Sequence, residues 1–139
     1  MLPRIVLIAA GASMLAACAG APQGAASDMA TVSGVVIHLE RRALPPEAVV
    51  TVRLQDISRA DARAILLGEQ RIALDGRQVP VPFEISYDPA AIDERMSYAV
   101  SARIELGDQL LMISDTVHPV ITRGAPTTDV EIRVVPVRR

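Results

Sequence analysis

Lysine and tryptophan are absent from the chain, and cysteine and aromatic residues are scarce. The three aromatic side chains are Phe83, Tyr87 and Tyr98, which leaves little material for an aromatic cage or a base-stacking platform. One cysteine excludes an intramolecular disulfide. With 14 basic and 16 acidic residues and a formal net charge of −2, the composition argues against binding to nucleic acid through its phosphates.

Long hydrophobic runs are also missing. No uncharged apolar stretch reaches about 18 residues, so no dedicated membrane-spanning helix is predicted. Residues 1–17 instead have the layout of a secretory signal peptide, with Arg4, a short apolar run and small residues before Cys18. The string Leu15-Ala16-Ala17-Cys18 resembles a bacterial lipobox. This resemblance implies cleavage before Cys18 and attachment of palmitate-type acyl chains to it; the alternative is an ordinary signal with an incidental cysteine.

Residues 18–30 are predicted to be the lipidated cysteine and a flexible tether, because they are rich in small residues and lack periodicity. Several acyl chains would anchor the protein stably in a membrane, whereas one would not. The residue after the cysteine is Ala19 and not an aspartate. The lipobox resemblance then implies an outer-membrane anchor, with the domain facing the periplasm.

From residue 31 to residue 139, apolar and polar residues alternate in short runs that turn signals separate. About seven strands are predicted, and this pattern indicates an all-β, immunoglobulin- or transthyretin-like antiparallel β-sandwich. Residues 58–68 are predicted to form a helical turn at most, leading into a strand. The apolar phase of the strands predicts a core of Val50, Val52, Leu54, Ile72, Phe83, Ile85, Val100, Ala102, Ile104, Leu111, Ile113 and Ile132.

A two-residue hairpin loop at Gly107-Asp108 sets a register in which Ile104 opposes Leu111. The same register pairs Glu105 with Leu110 and Arg103 with Met112 on the outer face. Leu110 and Met112 are therefore candidate contacts for a partner protein. The alternative is that a loop or the aliphatic stem of Arg103 covers them.

Four stretches of the domain carry a family resemblance. They are Val32-Ser33-Gly34-Val35, residues 44–58, residues 82–89 and residues 115–120. In this order they resemble the YbaY/YscW family of bacterial lipoproteins over about residues 31–139. The resemblance implies a sandwich fold and no known catalytic residues. It also implies a role as a lipoprotein chaperone, or pilotin, for an outer-membrane secretin of type III secretion.

Few residues could carry chemistry. His38 and His118 are the only histidines, too few for the three or four ligands of a zinc site, and alternation predicts an exposed His38. No catalytic site, metal or cofactor is predicted. Two hypotheses remain: a non-enzymatic envelope lipoprotein that binds another envelope protein, or a periplasmic module that binds a small ligand or glycan.

Two further features are left with two interpretations each. The arginines 41, 42, 59, 63 and 71 could form one anion-binding patch or an ordinary solvated surface. Tyr98 opens the most regular strand after a loop, where it resembles the tyrosine corner of Greek-key sandwiches. The alternative is a core tyrosine with a solvated hydroxyl.

Overall fold

The computed structural model describes residues 28–138, so Cys18, residues 1–17 and most of the tether lie outside the described residues. None of the described helical segments is long and apolar enough to cross a bilayer. The described chain contains eight β-strands and one short 3₁₀ turn (Pro89–Ala91). The strands are β1 (Ala30–Ile37), β2 (Val49–Asp56), β3 (Ile65–Ala73), β4 (Val81–Tyr87), β5 (Tyr98–Leu106), β6 (Gln109–Ser114), β7 (His118–Val120) and β8 (Val130–Pro136).

The strands form one continuous hydrogen-bonded sheet in the order β3-β2-β5-β6-β8-β1-β4, and β7 pairs with β5 off this path. All pairs are antiparallel except β1 with β8. The two edge strands, β3 and β4, approach each other and nearly close the sheet into a barrel-like shape. The main-chain N–H of Glu84 on β4 donates to the side-chain Oε1 of Gln70 on β3 at 2.7 Å.

Strand β8 joins the two parts of this sheet. Its first half, residues 130–133, pairs in parallel with β1, and its second half, residues 134–136, pairs antiparallel with β6. Because one strand serves both partners, hydrogen bonding continues around the molecule. The prediction of an all-β domain is confirmed. The immunoglobulin- or transthyretin-like sandwich of about seven antiparallel strands is not confirmed, since the sheet is continuous, includes a parallel pair and has an eighth strand.

Most of the predicted core is buried. Nine of the predicted residues are at most 3 % exposed: Val50, Val52, Leu54, Phe83, Ile85, Val100, Ala102, Ile104 and Ile132. Ile72 and Leu111 are half-buried against this core. Ile113 is 37 % exposed, so its placement in the core was wrong. Leu74, Tyr87 and Tyr98 also belong to the core.

The error at Ile113 comes from a β-bulge. Leu106 opposes Gln109 and Glu105 opposes Leu110, as predicted, but Ile104 opposes Met112. Leu111 is therefore an extra residue on β6, and beyond it the side chains change faces. The second half of β6 has the opposite orientation from the one that strict alternation predicts.

The segment before β3 follows the prediction, with a turn at residues 60–61 and a strand beginning at Ile65. Gly68 then lies where β3 meets β4. A Cβ atom placed on it would lie 2.5 Å from Cγ2 of Ile85 and 2.9 Å from the carbonyl oxygen of Ser86. The absence of a side chain at residue 68 therefore lets the two edge strands approach.

Candidate functional site

The strand termini define two ends of the sheet. At the tether end, the first strand begins with Ala30 opposite Tyr87, and β3 begins opposite Asp56. At the opposite end, which we call the distal end, β1 stops at Ile37 and β8 stops at Pro136. Residues 28 and 29, the first that the structure describes, precede β1 at the tether end.

A groove of about 440 Å³ opens at the distal end. One wall is the loop between β1 and β2, and the other is formed by β6 and the end of β8. Six of its eight lining residues are apolar, and the two charged ones are exposed. The lining residues are Glu40, Arg42, Ala43, Leu44, Pro45, Leu111, Met112 and Pro136.

The main chain of the loop wall is held by the side chain of Gln78. The N–H of Leu44 donates to Oε1 of Gln78 at 2.8 Å, and Nε2 of Gln78 donates back to the Leu44 carbonyl at 3.1 Å. The Leu44 side chain is 7 % exposed, so it anchors the loop in the core. The Pro45 carbonyl accepts from Ala48 at 3.1 Å. Prolines at 45 and 46 restrict the backbone further, so the groove is pre-formed on this side.

The strand wall depends on the bulge. Met112 opposes Pro136, and the N–H of Val137 donates to the Leu111 carbonyl at 3.1 Å. The extra residue leaves Leu111 half-buried at the groove, while Met112 turns inward. The result is an apolar floor with Glu40 and Arg42 in the opposite loop wall.

The predicted contact pair is only partly exposed. Met112 is 6 % exposed and belongs to the core, so its placement on the outer face was wrong, and the bulge at Leu111 is the reason. Leu110 is half-buried opposite Glu105, as the hairpin register predicted. The sequence reasoning missed the loop wall of the groove. The pair Pro45-Pro46 was the available signal, because adjacent prolines predict a stiff loop.

The histidines do not come together with acidic groups into a metal site. No group of three or more candidate metal-ligating side chains occurs within residues 28–138. His118 lies on β7 with Nε2 3.2 Å from Oγ1 of Thr116. Partial burial lowers the pKa of His118, and the nearby charge of Asp115 acts in the opposite direction.

His38 was predicted to be exposed, and this is wrong. Its position continues the inward phase of Val32 and Val36 beyond the end of β1. Both ring nitrogens are shielded from solvent, and neither has a hydrogen-bond partner in the described part of the chain.

The five arginines of the possible anion-binding patch are not brought together. Arg41 and Arg42 lie in the β1–β2 loop at the distal end, and Arg59 and Arg63 lie in the β2–β3 connection at the tether end. Arg71 lies on β3. Of the two interpretations, the structure does not support one patch formed by these five arginines.

Three comparisons relate the chain to known proteins. Residues 27–132 match the family model described as "Type III secretion system lipoprotein chaperone (YscW)". The chain is 39 % identical over 119 residues to "Uncharacterized lipoprotein YbaY" of Escherichia coli (strain K12). The aligned residues make up 86 % of this chain and 62 % of that protein. The chain thus spans less than two thirds of that relative's length.

A solved structure is also similar. It is the structure of an alternative pilotin from the type II secretion system of Vibrio cholerae, with a TM-score of 0.72 and 40 % sequence identity. The similarity covers 78 % of this chain and 99 % of the pilotin chain. The family and this structure are named for chaperone and pilotin roles rather than for catalysis.

Proposed function

Because the chain belongs to the YscW family of type III secretion system lipoprotein chaperones, we propose that it is a lipid-anchored, pilotin-like chaperone that binds a secretin subunit in the cell envelope. The observation that carries the proposal is the similarity to a pilotin, which extends over 99 % of that protein's chain. The apolar groove at the distal end supplies a surface for the partner. Binding of a folding or assembling partner requires no catalytic group on this chain.

The groove suits an apolar segment of the secretin. Its floor of Leu111, Met112 and Pro136 offers an apolar contact surface. Glu40 and Arg42 in its loop wall offer one charge of each sign. Burial of one leucine- or phenylalanine-sized side chain there gains about 1.5–3 kcal/mol. Leu110, which lies next to the bulge on the same strand, is a further candidate contact.

The anchor is the other half of the proposal. In this proposal, acyl chains on Cys18 hold the protein at the outer membrane, and the tether joins the domain at the end opposite the groove. A tether of about twelve small residues has an r.m.s. reach of about 20 Å. The domain therefore finds its partner close to the membrane in which a secretin assembles.

A substitution that fills the groove without touching the core tests the binding half. Ala43 lines the groove and is exposed, so Ala43→Trp occludes the groove while the fold is kept. Ala60→Trp, in an exposed turn at the tether end, is the matched control. We expect full-length lipidated protein from detergent-solubilised membranes to co-purify a secretin multimer. Ala43→Trp should reduce the yield about tenfold, equivalent to about 1.4 kcal/mol.

Equal recovery of the secretin with both tryptophan variants would overturn the groove as the binding site. The absence of a secretin from the wild-type preparation would overturn the pilotin role itself. Cys18→Ser tests the anchor: we expect an uncleaved precursor that incorporates no labelled fatty acid. Normal cleavage and acylation of this variant would show that the lipobox interpretation is wrong.

A further inference from the structure

A second depression lies on the outer face of the sheet, on β2, β5 and β6. Its volume is about 210 Å³, and its lining is more polar than that of the groove. We call it the arginine dimple; its lining residues are Thr51, Arg53, Gln55, Ser101, Ala102, Arg103, Ile113 and Ser114.

Strand register creates the arginine dimple. Thr51 on β2 opposes Arg103 on β5, and Arg53 opposes Ser101. The two arginines are therefore diagonal neighbours, about 7–8 Å apart at Cα, and the other diagonal carries two short hydroxyl side chains. Long guanidinium stems beside short hydroxyl groups leave the depression between them.

A third arginine borders the same position. Arg71 on β3 opposes Thr51 from the other side. Thr51 is on the outer face yet only 3 % exposed, as one of two buried polar residues in the described chain. A hydroxyl group so enclosed by arginine positions is unusual for a solvated sheet surface, where threonine is mostly exposed.

The acidic residues nearby do not use all the donors. Nε of Arg53 contacts Oε2 of Glu69 at 2.6 Å, and Nη1 of Arg103 lies 3.5 Å from Oε1 of Glu105. A guanidinium carries five N–H donors, so each arginine retains donors for a ligand. With Arg71, the face carries three guanidinium groups and two carboxylates, so its net charge is one positive.

We propose that the arginine dimple binds the side-chain carboxylate of an acidic residue in the partner protein. This inference rests on the proposed function, because it adds a charge requirement to the same partner. A carboxylate is monoanionic and planar, which suits one net positive charge and the fork of a guanidinium. A dianionic phosphate would meet the two glutamates with excess negative charge.

The arginine dimple also adjoins apolar surface. Ile113 at its border is 37 % exposed, and Val135 on β8 opposes it. An acidic residue with an apolar neighbour in the partner would therefore place the carboxylate among the arginines and the apolar side chain over β6. Residues of β6 line both the groove (Leu111 and Met112) and the arginine dimple (Ile113 and Ser114).

The test measures carboxylate binding directly. Arginine Nε–H resonances of the full-length lipidated protein in detergent micelles are followed during titration with N-acetyl-glutamic acid amide, with inorganic phosphate, and with sodium chloride at matched ionic strength. We expect saturable shifts for Arg53 and Arg103 with the amide. Arg103→Gln should weaken binding about tenfold, equivalent to one charge-assisted hydrogen bond. Arg133→Gln, on β8 and exposed, is the matched control.

A second variant guards against an indirect effect of charge removal. Ser101→Leu keeps every guanidinium and fills the depression, so it should weaken binding to the same extent. Equal shifts with sodium chloride, or tighter binding of phosphate than of the amide, would overturn the inference. Retention of the secretin by Arg103→Gln at the wild-type level would overturn the assignment to the partner. None of these results would touch the pilotin role, which fails only if the wild-type protein captures no secretin.

Discussion

The hydroxyl oxygen of Tyr98 accepts a 2.9 Å hydrogen bond from the main-chain N–H of Asp93, five residues upstream. The Tyr98 ring is 2 % exposed and opens β5. This geometry matches the tyrosine-corner interpretation, in which the hydroxyl group ties the preceding loop to the strand.

Removal of this hydroxyl should destabilise the protein. We expect Tyr98→Phe to lower the free energy of unfolding by about 1 kcal/mol, because the Asp93 N–H loses its partner. Tyr87→Phe is the control, since Tyr87 is a buried core tyrosine whose hydroxyl makes no hydrogen bond within residues 28–138. Urea unfolding curves measure both. Equal effects of the two substitutions would contradict the corner.

The same loop has a pH-dependent contact. The Asp93 carboxylate accepts hydrogen bonds from Nη2 of Arg95 at 2.8 Å and from its main-chain N–H at 2.9 Å. These contacts lower the pKa of Asp93 from 3.8 to about 2. Because the folded pKa is depressed, the contribution is fully present above 3.8 and is lost as pH falls through about 2.

Asp93→Asn should therefore be less stable than the wild type at neutral pH, and the difference should narrow between pH 3.8 and about 2. Thermal unfolding of both proteins across this range measures it. A difference that stays constant down to the lowest pH would contradict the assigned cause.

The bulge on β6 predicts opposite tolerance at neighbouring positions. Met112 is 6 % exposed and Ile113 is 37 % exposed. We expect Met112→Ala to cost about 2–5 kcal/mol, as for other core truncations, and Ile113→Ala to cost well under that. Denaturant unfolding distinguishes the two. A larger loss of stability in Ile113→Ala than in Met112→Ala would contradict the bulge and favour the register without it.

Closure of the sheet depends on the lack of a side chain at Gly68. In Gly68→Ala the new methyl group would meet Ile85 and the main chain of Ser86. Because the Ser86 carbonyl is main chain and cannot rotate away, we expect a loss of about 1–3 kcal/mol. Relative to the wild type, hydrogen exchange in Gly68→Ala should accelerate more in β3 and β4 than in β5. Unchanged exchange at the two edge strands would show that they do not need this close approach.

Replacement of His38 by an apolar side chain should stabilise the fold. Both ring nitrogens are shielded without a partner in residues 28–138, and each unsatisfied polar group costs about 1–3 kcal/mol. We expect His38→Leu to raise the unfolding free energy by at least about 1 kcal/mol. His118→Leu is the control, because Nε2 of His118 contacts Thr116. A loss of stability in His38→Leu would contradict the assignment of an energetic cost to the unpaired imidazole.

Alternation predicted most of the strands because it reports which face is buried. β5 begins and ends where its pattern does, and the inward phase of β2 is correct at Val50, Val52 and Leu54. The pattern failed on β6 because a single extra residue, Leu111, reverses the phase, and no glycine or proline marks it. β7 was missed since three residues that include Pro119 are too short to show alternation.

The candidate site could be predicted only in part. The groove is assembled from a loop near residue 44, a bulge near residue 111 and a strand end at Pro136. Segments so distant in sequence meet only through the sheet order, which local patterns do not determine. The arginine dimple is similar, because Arg71, Thr51 and Arg103 form a row across three strands.

The shared strand β8 also constrains when the domain can form during synthesis. β1 lies between β4 and β8, and its Gly34 pairs with Val130 near the other end of the domain. Contacts between residues so distant in sequence slow folding, because a long loop must close before they form. Until β8 has been made, the inner edge of β6 and one edge of β1 have no partner. A nascent chain in which β8 has not yet been made therefore cannot complete the sheet.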